Sequence, residues 1–270
     1  MGQREIAVAG QAVTGKSLVA ALGGWRRQLA LFAGAYLLYT LGRYLTIGDY
    51  DSAVHHADLV VDAERSLGIA VEHSTQEALR GTTWLWLLNH AYLAAQLVAV
   101  PAALVWLYRC APQGYRRLRN VILWTWLVSL PVYALFPVAP PRLADPNMVD
   151  TITTQTGFAL DSKLTTALYN PLAAVPSLHA GFALAVGVAV FRQAGALWLR
   201  VLAASWPVII GLAVVATGNH FLLDIAAGVL ATLAGLALSL GAERLASHGL
   251  PRTLRRGPTS GRELPAGTPA

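Results

Sequence analysis

Two short polar islands interrupt long apolar runs in this chain. One is Asn170-Pro171-Leu172-Ala173-Ala174-Val175-Pro176-Ser177-Leu178-His179-Ala180, and the other is Gly218-Asn219-His220-Phe221-Leu222-Leu223-Asp224. Each puts a histidine at the mouth of an apolar segment, and the second adds a carboxylate four residues on. Ionisable groups kept in apolar surroundings cost free energy, so function is the first explanation for them. Two histidines and an aspartate are what phosphoryl transfer through a phosphohistidine needs: a nucleophile, a proton donor and an orienting carboxylate. At i and i+4, His220 and Asp224 share one face of a helix. The carboxylate then accepts the proton of one ring nitrogen and leaves the other free to attack phosphorus. Gly228 follows on that face and permits close helix packing. Pro176-Ser177 opens the other helix, where free backbone N–H groups can bind phosphate. His179 then sits over the leaving oxygen as general acid. Arg142, after Pro140-Pro141, can grip phosphoryl oxygens with its two-pronged guanidinium. Arg43, near the end of an apolar run, is a second candidate cation.

The elements that must position these groups are membrane helices. Of 270 residues, 55% are hydrophobic and only 13% are charged, against about 25% charged in a soluble domain. The net charge of +6 does not point to nucleic acid, because the arginines sit in short clusters between apolar runs and read as topology signals. A bilayer core needs about 20 apolar residues per helix, and six segments qualify: 28–47, 84–107, 119–137, 174–191, 199–217 and 221–241. Arg26 and Arg27 precede the first. Arg109, Arg116, Arg117 and Arg119 lie between the second and third, Arg192 and Arg200 between the fourth and fifth, and Arg244, Arg252, Arg255 and Arg256 after the sixth. With six spans these clusters share one side, the cytoplasm by the positive-inside rule. His179 and His220 then open spans four and six from the same, outer face.

The expected fold is therefore all-α: a polytopic membrane protein with a six-transmembrane-helix bundle. A cytoplasmic segment over 1–27 precedes a membrane domain over 28–241, and a cytoplasmic, largely disordered tail follows over 242–270. The connection 48–83 spaces Val54, Ala57, Val60 and Val61, then Leu67, Ile69 and Val71, as amphipathic helices on the outer surface do. The first 24 residues lack the charged, apolar and cleavage-site pattern of a signal peptide. A single cysteine, Cys110, excludes an intrachain disulfide and a cysteine-based metal site. Lys16 and Lys163 are the only lysines; this arginine bias points to a GC-rich bacterial genome and hence to a plasma membrane.

Pro176-Ser177-Leu178-His179 and His220-x-x-x-Asp224-Ile225-x-x-Gly228 resemble the second and third motifs of the type 2 phosphatidic acid phosphatase superfamily. Ala139-Pro140-Pro141-Arg142, Asp150-Thr151 and Asn170 to His179 look like the branch that contains fungal inositol phosphorylceramide synthase. The resemblance covers roughly residues 28–241. It implies His220 as nucleophile, His179 as acid, Asp224 as orienting carboxylate, and Arg142 and Ser177 at the phosphate. Where the family carries a lysine seven residues before the arginine, this chain has Leu135. Where it carries an arginine six residues before the third-motif histidine, the chain has Val214.

Asn89, Tyr92 and Gln96 fall at i, i+3 and i+7 in the outer half of span two and can line a polar headgroup pocket, with Asn170 and Asn219 at turns beside the histidines. No metal site is expected, since no three close zinc ligands recur, and no cofactor is implied. The expected activity is that of a lipid phosphatase acting on a lipid phosphate monoester or pyrophosphate at the outer leaflet. With a lipid hydroxyl as acceptor, the same trio makes a phosphotransferase that moves a phosphoryl headgroup. A non-catalytic lipid-binding membrane protein is the reading of another class; it gives no reason to keep the trio. The expected partners are the bilayer and its lipid phosphate, without nucleic acid.

Overall fold

The computed structural model describes residues 24–45, 49–168 and 170–248, and among these the chain is all-helical, with no strand. Long apolar runs form helices because backbone groups without access to water must be satisfied within the segment. Helix α1 spans Gly24–Leu45. Two shorter helices follow, α2 (Tyr50–Leu67) and α3 (Glu72–Leu79). Helix α4 runs Thr83–Cys110 and contains a π-helical turn at Ala95–Ala99. Helix α5 spans Pro112–Leu135. Three short helices, α6 (Pro141–Ala144), α7 (Thr151–Thr156) and α8 (Lys163–Leu168), break up the connection to α9 (Leu178–Gln193). Helices α10 (Leu197–Ala216) and α11 (Leu222–His248) complete the order.

Four helices, α4, α5, α10 and α11, are long and apolar enough to cross a membrane, and α9 is a shorter apolar helix. Their outward faces leave Leu97, Val105, Leu197, Val208, Leu230 and Leu233 exposed. So much uncovered apolar surface suits lipid and not water, and the chain is an integral membrane protein. The six helices at the expected spans begin or end a few residues from the expected limits. Helix α5 starts at Pro112, ahead of 119, and α11 runs on past 241 to His248. Most of the expected terminal segments, 1–27 and 242–270, lies outside the described residues.

Caps fix the short elements. Asp49 accepts from the Ser52 N–H to start α2, and Gly68 ends it at φ +70°. Thr82 accepts from the Leu85 N–H to start α4. The segment 48–83 is helical as its pattern suggests, but its buried face is partly polar: Ala53, Ala57 and Val60 are joined by Glu64, Glu72 and Gln76. Leu67 and Val71, read as part of the apolar face, are exposed.

Three clusters make the core. Leu85, Leu88 and Tyr92 of α4 meet Ile152 of α7 and Ile210 and Val214 of α10. Leu107, Tyr115, Leu118 and Ile122 meet Phe182 and Val186 of α9. Ala53, Ala57 and Val60 of α2 pack on Val138, Ala139, Ala174 and Phe221. At the arginine-rich end, Arg119 Nη1 and the Tyr115 hydroxyl both donate to Gln28 Oε1, tying α1 to α5.

The closest approach joins α9 to α11. A Cβ on Gly228 would run into the Ser177 carbonyl oxygen, and one on Gly181 would lie 2.5 Å from Thr232 Oγ1. The Ser177 N–H donates to the Asp224 carbonyl at 3.0 Å. Gly228→Ala must push the two helices apart, a change of the kind that costs about 1–3 kcal/mol. The thermal midpoint in detergent is expected to fall by several degrees, at about 2–4 °C per kcal/mol for a chain of this size. Gly241→Ala, where a Cβ meets nothing within 4 Å, should leave it level or higher. Equal midpoints for Gly228→Ala and wild type would remove the close approach as a constraint.

Candidate functional site

Ser177 is the N-cap of α9, its Oγ accepting from the Ala180 N–H at 3.3 Å, and this starts the helix that carries His179 in its first turn. Gly218, at φ +69°, turns the chain between α10 and α11. A side chain there would be strained by the backbone and would also meet Met148 Cε at 2.9 Å. The next two N–H groups, of Asn219 and His220, donate to the Val214 carbonyl. His220 therefore lies in the turn before α11, not on the helix as the i, i+4 spacing suggests. It still meets Asp224. Asp224 Oδ2 accepts the Phe221 N–H at 2.9 Å and lies 3.2 Å from His220 Nδ1, so the carboxylate caps its own helix and holds the ring across the cap.

His220 Nδ1 also lies 2.9 Å from the Ala174 carbonyl oxygen. A carbonyl can only accept, so Nδ1 carries the hydrogen and Nε2 keeps its lone pair. The His179 and His220 rings sit with centroids 5.9 Å apart, close enough for one tetrahedral group to touch both. Tyr92 stacks on His179, with centroids 4.0 Å apart and planes 19° from parallel. Such a pair is worth about 0.5–1.5 kcal/mol beyond area burial.

Both histidines line a cavity of about 540 Å³ whose walls are mainly apolar and aromatic, among them Leu93, Leu97, Trp126, Phe158, Leu160 and Leu178. Tyr92, Gln96 and Asn170 line it too. Gln96 reaches it from the π-helical turn, and Asn170 Oδ1 also accepts the Leu172 N–H. Tyr36, Tyr133 and Thr165, which the sequence reading passes over, complete the polar lining.

The other candidates lie behind the cavity wall. Asn89 is fully buried; its amide donates to Gln155 Oε1 and its oxygen accepts from the Thr151 hydroxyl. Ser177 is spent on its cap. Arg142 donates its backbone N–H to the Gly218 carbonyl and Nε to Asn219 Oδ1, and its Nη1 is 3.9 Å from Asp150 Oδ2. Asn219 in turn donates to the Thr217 carbonyl and hydroxyl. The guanidinium therefore braces the residue before His220. The Arg43 side chain lies outside the described residues. Among the described residues, no group of three His, Cys, Asp or Glu is placed to hold a metal ion.

The sequence reading also passes over Glu64 and Glu72. Their Oε1 atoms accept the N–H groups of Leu223 and Leu222 at 2.7 and 3.0 Å. Gln76 Nε2 donates to the Val149 and Ala216 carbonyls, and its Oε1 accepts from the Val149 N–H. Only the acidic and amide character of these residues, spaced on the inner face of α2 and α3, signals that face in the sequence.

The geometry at Nδ1 sets a spectroscopic expectation. In protein carrying ¹⁵N-labelled imidazole, neutral His220 should show a protonated Nδ1 and a bare Nε2. A protonated Nε2 in the neutral ring would contradict the arrangement of Ala174 and Asp224 around it.

No curated protein and no solved structure matches the chain. A family model does match, that of the PAP2 superfamily, over residues 58–238. The match takes in well over half of the 270 residues, with His179, His220 and Asp224 inside it, and the chain belongs to the PAP2 superfamily.

Proposed function

We propose that this protein is a membrane lipid phosphatase that works through a phosphohistidine at His220. Members of the superfamily are generally phosphatases or phosphotransferases. The observation that carries the reading is the His220 ring itself. Its Nδ1 faces two oxygen acceptors, and its other face opens on a cavity shared with His179.

In the proposed reaction, the Nε2 lone pair of His220 attacks phosphorus and the P–O bond to the lipid breaks. The leaving oxygen takes a proton from His179. Asp224 stabilises the positive charge that develops on His220, through the Nδ1 hydrogen. Water then attacks the phosphohistidine, giving its proton to the now neutral His179. The P–N bond breaks, phosphate leaves and both rings return to their starting states. Nucleophile and acid both come from the chain, so the reaction is proposed to run without a metal ion. Arg142, which the resemblance assigns to the phosphoryl oxygens, is turned to Asn219 and Asp150, and its proposed part is to brace the turn that carries His220.

The topology proposed with this chemistry has six spans, α1, α4, α5, α9, α10 and α11, as one membrane domain with both termini in the cytoplasm of a bacterial cell. The support is the placement of charge. Arg109, Arg116, Arg117, Arg192, Arg200 and Arg244 lie at helix ends remote from His179 and His220, and Gly114 of α5 sits against Gln193 of α9 at that end. The site then faces the outer leaflet, with α2 and α3 beside it.

A second reading keeps the first half-reaction and changes the acceptor. The apolar lining around the two histidines gives a lipid hydroxyl a place to dock where water would otherwise attack, which makes the enzyme a phosphotransferase. Tracking free phosphate and new phospholipid from the same incubation separates the two.

Turnover of long-chain lipid phosphates by purified protein is the direct test. His220→Ala should abolish it. His179→Ala should lower it by about 10²–10⁴, the usual effect of losing a proton-transfer group. Near-normal turnover by His220→Ala would defeat the nucleophile assignment. Activity should survive EDTA; a loss restored by added Mg²⁺ or Zn²⁺ would overturn the metal-free reaction. The apolar cavity adds a preference for long chains, since each buried CH₂ is worth roughly 0.8 kcal/mol. Equal kcat/KM on a short, water-soluble ester would remove the lipid as substrate.

A further inference from the structure

Five successive backbone N–H groups, from Asn219 to Leu223, are all held. Asn219 and His220 donate to the Val214 carbonyl, Phe221 to Asp224, Leu222 to Glu72 and Leu223 to Glu64. The first N–H groups of a helix have no partner within it, and here the last two depend on side chains from α2 and α3. Glu64 and Glu72 are buried, and neither lines the cavity. Three carboxylates thus meet at one helix start.

The surroundings offer little to balance them. Asp58, Asp62 and Arg65 on α2, His73 and Glu77 on α3, and Arg80 just after it are exposed, and the arginines pair with Asp62 and Glu77. Arg142 on α6 is turned to Asn219 and Asp150. His220 is engaged with Asp224. The positive end of the helix dipole is the remaining compensation. Glu64 Oε2 finds no N–H or O–H donor among the described residues. Glu64 and Glu72 accept from the adjacent N–H groups of Leu223 and Leu222, so two carboxyl groups share one buried helix start, where like charges disfavour ionising both.

We propose that Glu64 and Glu72 are positioning residues for His220: one carboxyl pair, holding a single proton, that fixes the first turn of α11 and with it the ring that attacks phosphorus. This rests on the reading of His220 as nucleophile. The electrostatics agree. Burial, with the negative charges of Glu72 and Asp224 added, pushes the Glu64 carboxyl up to about 8.

The sign of the pH effect follows. Between the ordinary carboxyl value, 4.5, and about 8, folded Glu64 keeps a proton that the unfolded chain has lost. The folded state binds more protons, so stability falls as pH rises through that window. In Glu64→Gln the amide oxygen still accepts from Leu223, and no carboxyl proton remains there to be lost as pH rises. Glu64→Ala leaves the Leu223 N–H buried and unpaired.

The experiment uses the full chain in detergent. Thermal midpoint, kcat and KM on a long-chain lipid phosphate are read from about pH 5 to pH 9 for wild type, Glu64→Gln and Glu64→Ala. The wild-type midpoint should fall across the window, and that of Glu64→Gln should fall less. Glu64→Ala should lose about tenfold or more in kcat, in line with an unsatisfied buried donor, with KM within about twofold, and Glu64→Gln should restore kcat. Superimposable midpoint curves for wild type and Glu64→Gln would overturn the shared proton. Wild-type kcat in Glu64→Ala, or a kcat for Glu64→Gln as low as that of Glu64→Ala, would overturn the positioning role. A wild-type protein that turns over no lipid phosphate would instead sink the phosphatase reading, while the midpoint curves still decide the proton.

Discussion

The hydrogen bonds at the start of α11 bear the weight of this structure. A helix that begins inside protein, with no water to meet its first N–H groups, must find acceptors there or give up several kcal/mol. Asp224, Glu72 and Glu64 supply them in succession. Each acceptor has a second consequence. Asp224 also holds His220. Glu72 and Glu64 bring α3 and α2 down onto the bundle, and Phe221 then closes the cluster around Ala57 and Ala174. Capping, packing and alignment of the ring are therefore one arrangement and not three.

The two sides of the histidines differ in character. Behind them lie the carboxylates, Arg142, Asn219 and the Ala174 carbonyl. In front lies a cavity walled by leucines, aromatic rings and a few amides and hydroxyls. Charge at the rear sets tautomer and orientation; low polarity at the front strengthens any electrostatic contact made there. Tyr92 belongs to both sides, since it walls the cavity and fixes the plane of His179.

Much of this was legible in the sequence, for physical reasons that can be named. The positions of the long helices follow from hydropathy, and the pairing of His220 with Asp224 follows from spacing. Gly228 was readable because only a missing side chain allows the contact with Ser177. Other features depend on partners far along the chain. Glu64 and Glu72 count as solvent charges in a topology reading, and nothing within α2 or α3 reveals that a helix start about 150 residues later will bury them. Asn89 shares a face with Tyr92 and Gln96 by periodicity. Yet its amide is claimed by Gln155 and Thr151 of the short helix α7, which has no long-range signature in the sequence. The π-helical turn at Ala95–Ala99 that carries Gln96 leaves no mark in composition.

The contact of Ser177 with Gly228 and Asp224 works as a ruler. It joins the starts of α9 and α11 by backbone atoms alone, so the spacing of the two helix starts that carry the histidines does not depend on the residues of the far cavity wall. The residues of the far wall, Leu93, Leu97, Trp126 or Phe158, can then be exchanged, and the cavity reshaped, without moving the two helix starts relative to each other. Change on the ruler itself moves both histidines at once, which divides the molecule into one part open to variation and one closed to it.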